Sequence, residues 1–265
     1  PIALTTTKDA EGRINLAPFS YFNVYCSNPP TLVIGPNRSG RTGVMKDTGL
    51  NAAVHKQLTI SLVNYDMVEQ MNLTSAPFDH GVNEYERSGF TPAKSHPVDV
   101  PFVAEAPIAF ECEVRDIYPL GEEGGSADLV ICTITHMHIK EDVLATDGKG
   151  MVDPHKLDIV GRHGWNWYFR ERDGLFEINR PMSKDILGWD GLPDHVRDSG
   201  VLSGNNLGRL ALIEELPDEK AVKAFLEAER EHELSGISTR EDAHRQAIKH
   251  LDKHEVEHAW LVILA

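Results

Sequence analysis

The stretch Asn15-Leu-Ala-Pro-Phe-Ser-Tyr-Phe-Asn23 decides the fold that we predict for this chain. It follows a turn at Asp9-Ala-Glu-Gly12 and a strand-like run at residues 2–7. Pro18 has no N–H to donate to a β-ladder, so we expect the chain to leave the sheet or kink there. Backbone groups, a hydroxyl and aromatic rings would then be free to meet a flat heteroaromatic ligand. The alternative is a bulged edge strand whose aromatic side chains fill the core.

Strand-like patterns dominate the chain outward from this stretch. The segment 108–118 alternates between apolar and polar residues, with Glu111 on the polar face, and 128–139 is rich in β-branched residues. Gly121-Glu-Glu-Gly-Gly125 predicts the hairpin turn between them. The predicted strands are 2–7, 31–35, 58–63, 108–118 and 128–139. Repeated antiparallel strands with few helices favour a mainly β fold of the barrel type.

Helical patterns in this part of the chain are short. Residues 46–55 and 66–73 predict helices, and Asp47 or Thr48 is a candidate N-cap for the first. Residues 74–101 contain four prolines and little periodicity. We expect them to form a long excursion that has no core of its own and packs on a site or a partner subunit.

The character of the sequence changes after Pro181. Residues 218–232 and 239–258 are charged and helical in period, and Ser238 or Thr239 followed by acidic residues predicts a helix start. The apolar end at 259–265 fits a strand or a docked tail. We predict two domains, a mainly β domain at 1–181 and a mostly helical C-terminal extension at 182–265.

Composition narrows the classes of function. The chain has 41 acidic and 26 basic residues and a net charge of −15, which makes nucleic acid and anionic membranes poor partners. No apolar run approaches the roughly 18 residues of a membrane span. Cys26, Cys112 and Cys132 lack metal or disulfide spacing, which is consistent with reduced thiols and a cytoplasmic protein. Because the first residue is Pro1, we expect residues to be missing upstream.

Two segments carry groups that suit a phosphate. Asn37-Arg-Ser-Gly40 and Lys46-Asp-Thr48 supply two cations, two hydroxyls and the start of a helix. The glycine spacing of a P-loop or a dinucleotide fingerprint is absent. A solvated loop explains the same residues, so both interpretations stay open.

A second dense segment is Arg162-His-Gly-Trp-Asn-Trp-Tyr168. Aromatic side chains at this density are expected either to be buried or to bind a flat ligand. The sequence does not separate these two possibilities.

Histidines form two further patterns. His136 and His138 alternate along a predicted strand, and His250, His254 and His258 are spaced to share one helix face. Three imidazoles on a face can hold Zn²⁺ or Ni²⁺, but polar surface helices carry such residues without a metal as well. We assign no metal site from the sequence. Motifs for serine, cysteine or paired-carboxylate catalysis are also lacking, which indicates that a cofactor carries the chemistry of any enzyme of this kind.

Taken in order, six segments resemble the flavin reductase-like family, which has the FMN-binding split barrel. They are most similar to the branch that contains flavoredoxin and the reductase component of nitrilotriacetate monooxygenase. The segments are Pro1-Ile-Ala-Leu-Thr5, Asn15-Leu-Ala-Pro-Phe-Ser20, Ser27-Asn-Pro-Pro30, Lys46-Asp-Thr48, Met71-Asn-Leu-Thr-Ser-Ala-Pro-Phe78 and Val103-Ala-Glu-Ala-Pro107. Leu175-Phe-Glu177 and Arg180-Pro181 close the match, which covers about the first two thirds of the chain.

The resemblance implies a homodimer with FMN near the dimer interface. Ser20, Tyr21 and Phe22 would lie along the isoalloxazine ring, and the preceding Phe19 is also implied as a cofactor-binding residue. The residues implied around the phosphate and ribityl chain are Asn37, Arg38, Ser39, Lys46, Asp47 and Thr48. Asn72 and the segment 162–168, with Tyr168, would close the site, and His163 is the candidate for a catalytic hydrogen-bond partner or proton donor. The two tryptophans at 165 and 167 stand where relatives commonly have a smaller, glycine-rich sequence, so they could narrow nicotinamide access.

The activity implied is that of an NAD(P)H-dependent FMN reductase, which passes a hydride from nicotinamide to flavin N5 and supplies reduced flavin to a monooxygenase. One alternative is a non-enzymatic FMN electron carrier that a redox partner reduces. Another is a barrel like that of pyridoxamine-phosphate oxidase with a different ligand, such as haem. No motif distinguishes NADH from NADPH.

Overall fold

The computed structural model describes residues 1–178 and 180–265. The chain divides into two compact units, Pro1–Phe176 and Glu177–Ala265, which we call the N-terminal and the C-terminal unit. Each has its own hydrophobic core. The predicted assignment of 1–181 as a flavin-binding domain stays a prediction.

Strands form the framework of the N-terminal unit. In chain order they are β1 Ala3–Lys8, β2 Ile14–Phe19, β3 Phe22–Ser27, β4 Pro30–Ile34, β5 Gln57–Leu62, β6 Pro92–Ala93, β7 Phe102–Val103, β8 Ile108–Pro119, β9 Asp128–Ile139, β10 Val160–Gly164 and β11 Trp167–Arg170. Within the described residues, one antiparallel sheet of seven strands has the order β2-β1-β5-β8-β9-β4-β3. β6 pairs with β7, and β10 pairs with β11.

Helices are short in the N-terminal unit and dominate the C-terminal unit. In chain order they are α1 Asp47–His55, α2 Val68–Leu73, α3 Glu84–Ser88, α4 Pro154–Leu157, α5 Glu171–Gly174, α6 Asp194–Arg197, α7 Gly204–Leu210, α8 Glu219–Glu229, α9 Arg240–Leu251 and α10 Val256–Leu264. Single 3₁₀ turns lie at Tyr65–Met67 and Glu141–Val143. No helix in the described ranges is both long and apolar enough to cross a membrane.

The stretch around Pro18 stays in the sheet with an unshifted register, so our prediction that the chain leaves the sheet or kinks there is wrong, and the alternative of an edge strand whose phenylalanines fill the core is confirmed apart from the bulge. β2 is an edge strand, and Pro18 lies opposite Leu4 of β1. An edge strand tolerates proline because one side of its backbone has no ladder partner. The chain bends at Ser20 and Tyr21 instead and then enters β3, the strand at the opposite edge of the sheet.

The long excursion 74–101 packs on its own chain. Tyr85 and Phe90 are buried in the same cluster as Leu4, Leu16 and Met71. The excursion therefore contributes to the core of the N-terminal unit, and our argument that it needs a partner subunit for packing is wrong. Residues 74–101 show little sequence periodicity because most of their backbone is irregular, with α3 and β6 as the main regular elements.

Glu111 departs from the predicted alternation of β8. It was expected on the polar face, but its side chain is fully excluded from solvent. The carboxylate accepts hydrogen bonds from the backbone N–H groups of His96 and Val98 at 2.8 and 3.0 Å, and it lies 2.7 Å from His138 Nε2. The excursion thus covers this face of β8 and supplies donors to the carboxylate that it buries.

Our prediction of a single helix at 239–258 is wrong, because the C-terminal unit has two helices in this region. The chain ends α9 at Leu251 and begins α10 at Val256, because His254 adopts a left-handed conformation (φ 62°). The predicted start is confirmed, since Thr239 and Asp242 form a reciprocal capping box. The apolar end belongs to α10, and His250, His254 and His258 do not share one helix face.

Candidate functional site

The four predicted ligand residues at the β2–β3 corner, residues 19–22, differ in their exposure to solvent. The side chains of Phe19 and Phe22 are buried, at 6% and 9% exposure, and belong to the interior of the unit. Ser20 and Tyr21 are exposed, Tyr21 by 68%. Only the Ser20 hydroxyl and the Tyr21 ring are therefore accessible to a ligand at this corner of the described chain.

The loop that follows β4 is held against the β8–β9 hairpin turn. Arg38 N–H donates to the Ser126 carbonyl at 2.7 Å, and Gly125 N–H donates to the Arg38 carbonyl at 3.2 Å. A Cβ on Gly124 would lie 2.9 Å from the Gly40 carbonyl oxygen and 3.0 Å from that of Ser39. Both neighbours are backbone atoms, so glycine is what allows this close approach. The loop is therefore positioned by main-chain contacts.

Two side-chain atoms in this loop are buried without a hydrogen-bond partner among the described residues. They are Asn37 Oδ1 and Arg38 Nε. Arg38 Nη2 lies 3.5 Å from both carboxylate oxygens of Asp128, at the limit of a hydrogen bond. A buried donor or acceptor left unpaired destabilises the fold by about 1–3 kcal/mol. Asn37 Oδ1 and Arg38 Nε would therefore gain from hydrogen bonds to a polar ligand.

The start of α1 adds a cation and free N–H groups. Lys46 is the N-cap residue and no side chain caps the helix, so our prediction of a cap by Asp47 or Thr48 is wrong. Asp47 Oδ2 lies 3.0 Å from His80 Nδ1, and the buried Thr48 donates its hydroxyl to Asn15 Oδ1 at 2.8 Å. The first N–H groups of a helix have no partner within it and attract anions.

The exposed Lys46 lies near the β2–β3 corner, since its Nζ is 5.9 Å from the centroid of the Phe19 ring. Ser39 is held within its loop, where its N–H donates to the Val44 carbonyl at 2.8 Å and its hydroxyl oxygen accepts from Thr42 N–H at 3.3 Å, and its O–H is still able to donate. Arg38, the Ser39 hydroxyl, Lys46 and the start of α1 are therefore the groups of the predicted phosphate set that remain available. We call them, with Asn37, the anion group.

Glu84 is a buried support of this region that sequence reasoning missed. Its carboxylate accepts from Leu16 N–H at 2.9 Å and from Asn15 Nδ2 at 3.0 Å, while Asn15 Oδ1 accepts from Thr48. Burial raises the pKa of the Glu84 carboxyl above its ordinary value. α3 is thereby connected to β2 and, through Asn15, to α1.

Asn72 and Tyr168 lie at one cleft, and their role in closing a flavin site stays a prediction. They line a cleft of about 400 Å³ between α2 and the β10–β11 hairpin, together with Arg162 and Asn166. Arg162 Nη1 donates to the Tyr168 hydroxyl at 2.7 Å, and its guanidinium carbon lies 4.8 Å from the centroid of the Tyr168 ring. No residue of 19–22 or 37–48 lines this cleft in the part of the chain that the structure describes.

Arg170, which lines the cleft, forms an ion pair with Asp158 that sequence reasoning also missed. Arg170 Nε donates to both carboxylate oxygens of Asp158, at 2.8 and 3.0 Å, and its guanidinium carbon lies 3.9 Å from the centroid of the Tyr65 ring. The hydrogen bond from Arg170 holds the pKa of Asp158 below its ordinary value. Asp158, Arg170 and Tyr65 come together only through the β10–β11 hairpin, so no local sequence pattern predicts their contact.

The predicted catalytic candidate, His163, lies at the bulge of β10 between Arg162 and Gly164 and is exposed. It does not line the cleft. Trp165 and Trp167 are 87% and 73% exposed, so the interpretation that they are buried core residues is wrong. The hairpin therefore presents aromatic surface to its surroundings.

Comparison with known proteins decides the family. The family model described as "Flavin reductase like domain" matches residues 1–154, more than half of the chain. The chain belongs to the flavin reductase-like family. The predicted resemblance is thus confirmed.

Relatives of this flavin reductase-like protein cover mainly its N-terminal unit. An uncharacterised protein of Halalkalibacterium halodurans is 34% identical over 183 residues, which cover 68% of this chain and 85% of the relative. The structure of nitrilotriacetate monooxygenase component B from Bacillus cereus is 30% identical, with a TM-score of 0.62 over 67% of this chain and 86% of its own.

A third relative supports the fold class. A protein with a split barrel domain from Shewanella frigidimarina is 27% identical, with a TM-score of 0.58 over 68% of this chain and 85% of its own. The prediction of a mainly β split barrel with a helical C-terminal extension is therefore confirmed for this member of the flavin reductase-like family.

Proposed function

We propose that the chain binds FMN and works as an NAD(P)H-dependent flavin reductase. The observation that carries the proposal is the anion group in a member of this family: Arg38 Nε and Asn37 Oδ1 are buried and have no hydrogen-bond partner among the described residues, and the group also includes the exposed Lys46 and the start of α1. When bound, FMN would supply the ring that accepts a hydride from reduced nicotinamide. The residues present fit such a group, because Arg38 Nε lacks the acceptor that a phosphate oxygen would provide and Asn37 Oδ1 lacks the donor that a ribityl hydroxyl would provide.

The chain's own residues would bind and orient the flavin. Arg38 and Lys46 would neutralise the phosphate, and the N–H groups at the start of α1 would donate to it. Asp128 would hold the Arg38 guanidinium in place. Tyr21 would offer its exposed ring to the isoalloxazine. Phe19 and Phe22 would support this corner from the core, and Thr48 would act through Asn15 without meeting the phosphate itself.

The cleft and its hairpin would complete the site in a homodimer. Trp165, Trp167 and Phe169 are exposed on the hairpin, and apolar surface of this kind marks an interface. We propose that a second copy of the chain covers the hairpin, where Asn72, Tyr168 and the candidate hydrogen-bond partner His163 would approach the flavin. A dimer mass by light scattering would support this; a monomer at micromolar concentration, saturated with FMN, would contradict it.

Reduced flavin has to be consumed by a further reaction, and we propose a flavin-dependent monooxygenase as the consumer. Support comes from the similarity to component B of nitrilotriacetate monooxygenase.

A steady-state assay tests the reductase. We expect the purified chain to oxidise NADH or NADPH in a reaction that requires added or bound FMN. A protein that binds FMN tightly but oxidises neither nucleotide would contradict the reductase and support the electron carrier. A spectrum of haem, with no flavin bound, would overturn both.

A further inference from the structure

A cluster in the C-terminal unit joins two histidines that the sequence placed on one helix. His250 lies in the last turn of α9 and His258 in the first turn of α10, and the left-handed residue His254 reverses the chain between them. The two imidazole rings stack with centroids 4.2 Å apart. His254 does not belong to the cluster.

A carboxylate from a third segment faces both rings. Glu233, in the turn that follows α8, directs Oε1 to His250 Nε2 and Oε2 to His258 Nε2, the latter at 2.7 Å. One ligand atom from each of the three residues lies within 4.8 Å of the others. Two imidazole nitrogens and one carboxylate at this spacing are a common set for Zn²⁺, with a position left open.

A second carboxylate orients one of the imidazoles. His250 Nδ1 lies 2.7 Å from Glu255 Oε2, so His250 faces a carboxylate at each ring nitrogen. When Nδ1 donates its hydrogen to Glu255, the lone pair of Nε2 points towards Glu233 and is available to a metal ion. A carboxylate behind the far nitrogen of a metal-binding histidine is a regular feature of zinc sites.

The cluster is also accessible. The side chains of Glu233 and His250 are 14% and 11% exposed, and that of His258 is 39% exposed. A metal ion can therefore enter past His258, while the other two ligands are held by the unit.

We propose that Glu233, His250 and His258 bind a divalent transition metal of the zinc type. The ion would connect the turn after α8 with α9 and α10, so its effect would be to stabilise the C-terminal unit. This inference is independent of the proposed flavin chemistry, since none of the three residues lies in the N-terminal unit.

The test is a zinc titration of the full, tag-free chain after treatment with a chelator. Competition with a chromophoric chelator measures the affinity, and the visible spectrum of the Co²⁺-loaded chain reports the ligands. We expect about one ion per chain, bound by nitrogen and oxygen ligands. Thermal melting of the loaded chain should occur at a higher temperature than that of the metal-free chain.

Four variants locate the site. Glu255→Gln should weaken zinc binding by roughly 10–100-fold, and Glu233→Gln and His258→Gln should weaken it by more. His254→Asn is the matched control, because it removes a histidine from the same segment and asparagine tolerates the left-handed conformation. Its affinity should be unchanged. The proposal would be overturned if the unaltered chain failed to take up zinc. It would also be overturned if His254→Asn weakened zinc binding as much as Glu233→Gln and His258→Gln do. The first of these results does not depend on any variant folding.

Discussion

At the scale of single residues, Lys46 is the cation whose role can be separated most directly from folding, because it is exposed. A charge-assisted hydrogen bond contributes roughly 1.5–3 kcal/mol. Lys46→Ala should therefore weaken FMN binding by about tenfold to a hundredfold. Riboflavin lacks the phosphate, so its affinity should change little. Flavin fluorescence titrations with both ligands measure the difference.

Lys56→Asn is the control for net charge. Lys56 caps the other end of α1 in a left-handed conformation that asparagine accepts. The variant removes the same charge from the same helix but leaves the anion group intact, so FMN should bind as it does to the unaltered chain. Equal losses of FMN and riboflavin in Lys46→Ala would show that Lys46 supports the fold and does not bind the phosphate.

Glu111 is a residue whose contribution to stability depends on pH. Burial alone would raise the pKa of its carboxyl, but the hydrogen bonds from His138, His96 and Val98 together hold the pKa below its ordinary value. Glu111→Gln replaces one accepting oxygen by a donor, so it should lower the free energy of unfolding at pH 7 by about 1–3 kcal/mol. Urea denaturation measures this loss, and the exposed Glu113→Gln on the same strand is the control.

The sign of the pH dependence follows from the direction of this shift. A carboxyl with a depressed pKa in the folded state stabilises the fold fully above its unfolded pKa, roughly 4.3. That stabilisation is lost as the pH falls through the lower folded-state pKa. The difference between the unaltered chain and Glu111→Gln should therefore shrink below about pH 4. A difference that grows on acidification would contradict the assignment.

At the scale of elements, the hairpin turn between β8 and β9 positions the loop of the anion group. Gly124→Ala would push its Cβ against the carbonyl oxygens of Ser39 and Gly40, and overpacking of this kind costs about 1–3 kcal/mol. The loop must shift, so FMN binding should weaken by about tenfold. In Gly40→Ala the Cβ meets no atom within 4 Å, and FMN should bind normally. Isothermal titration of both variants checks the pair.

Much of the element pattern could be predicted from local sequence. The bounds of β9 agree with the β-branched run at 128–139, and the capping box at Thr239 was visible as a spacing. The edge position of β2 was one of the two alternatives for the stretch around Pro18, since proline excludes a central strand but not an edge, and local sequence did not decide between an edge strand and a chain that leaves the sheet. The break at His254 carries no glycine or proline signal.

The site was less predictable than the elements. The residue types around a phosphate could be recognised in the segments 37–39 and 46–48, but their hydrogen bonds depend on distant partners. Thr48 is committed to Asn15, and Arg38 faces Asp128, which is far away in the sequence. Glu111 and Asp158 are charged groups buried by segments that local periodicity does not connect.

At the scale of the whole molecule, the two units have separate cores. The buried clusters of the N-terminal unit end at residue 168, and the cluster of the C-terminal unit begins at residue 187. A chain that ends at Phe176 should therefore fold cooperatively and bind FMN with an affinity within about threefold of the full chain, since the anion group and cleft remain complete. Circular dichroism and FMN titration measure both. A shortened chain that folds but no longer binds FMN would show that the C-terminal unit belongs to the site.

The positions of the tryptophans make fluorescence a selective probe of these units. Trp165, Trp167 and Trp189 are exposed, whereas Trp260 is excluded from solvent and donates its indole N–H to the Leu210 carbonyl at 3.0 Å. A collisional quencher such as iodide should therefore suppress the emission of the three exposed indoles and leave the short-wavelength emission of Trp260. With iodide present, the residual emission of Trp260 would record unfolding of the C-terminal unit alone. Without iodide, a bound flavin should quench the emission of the hairpin indoles, Trp165 and Trp167, by energy transfer.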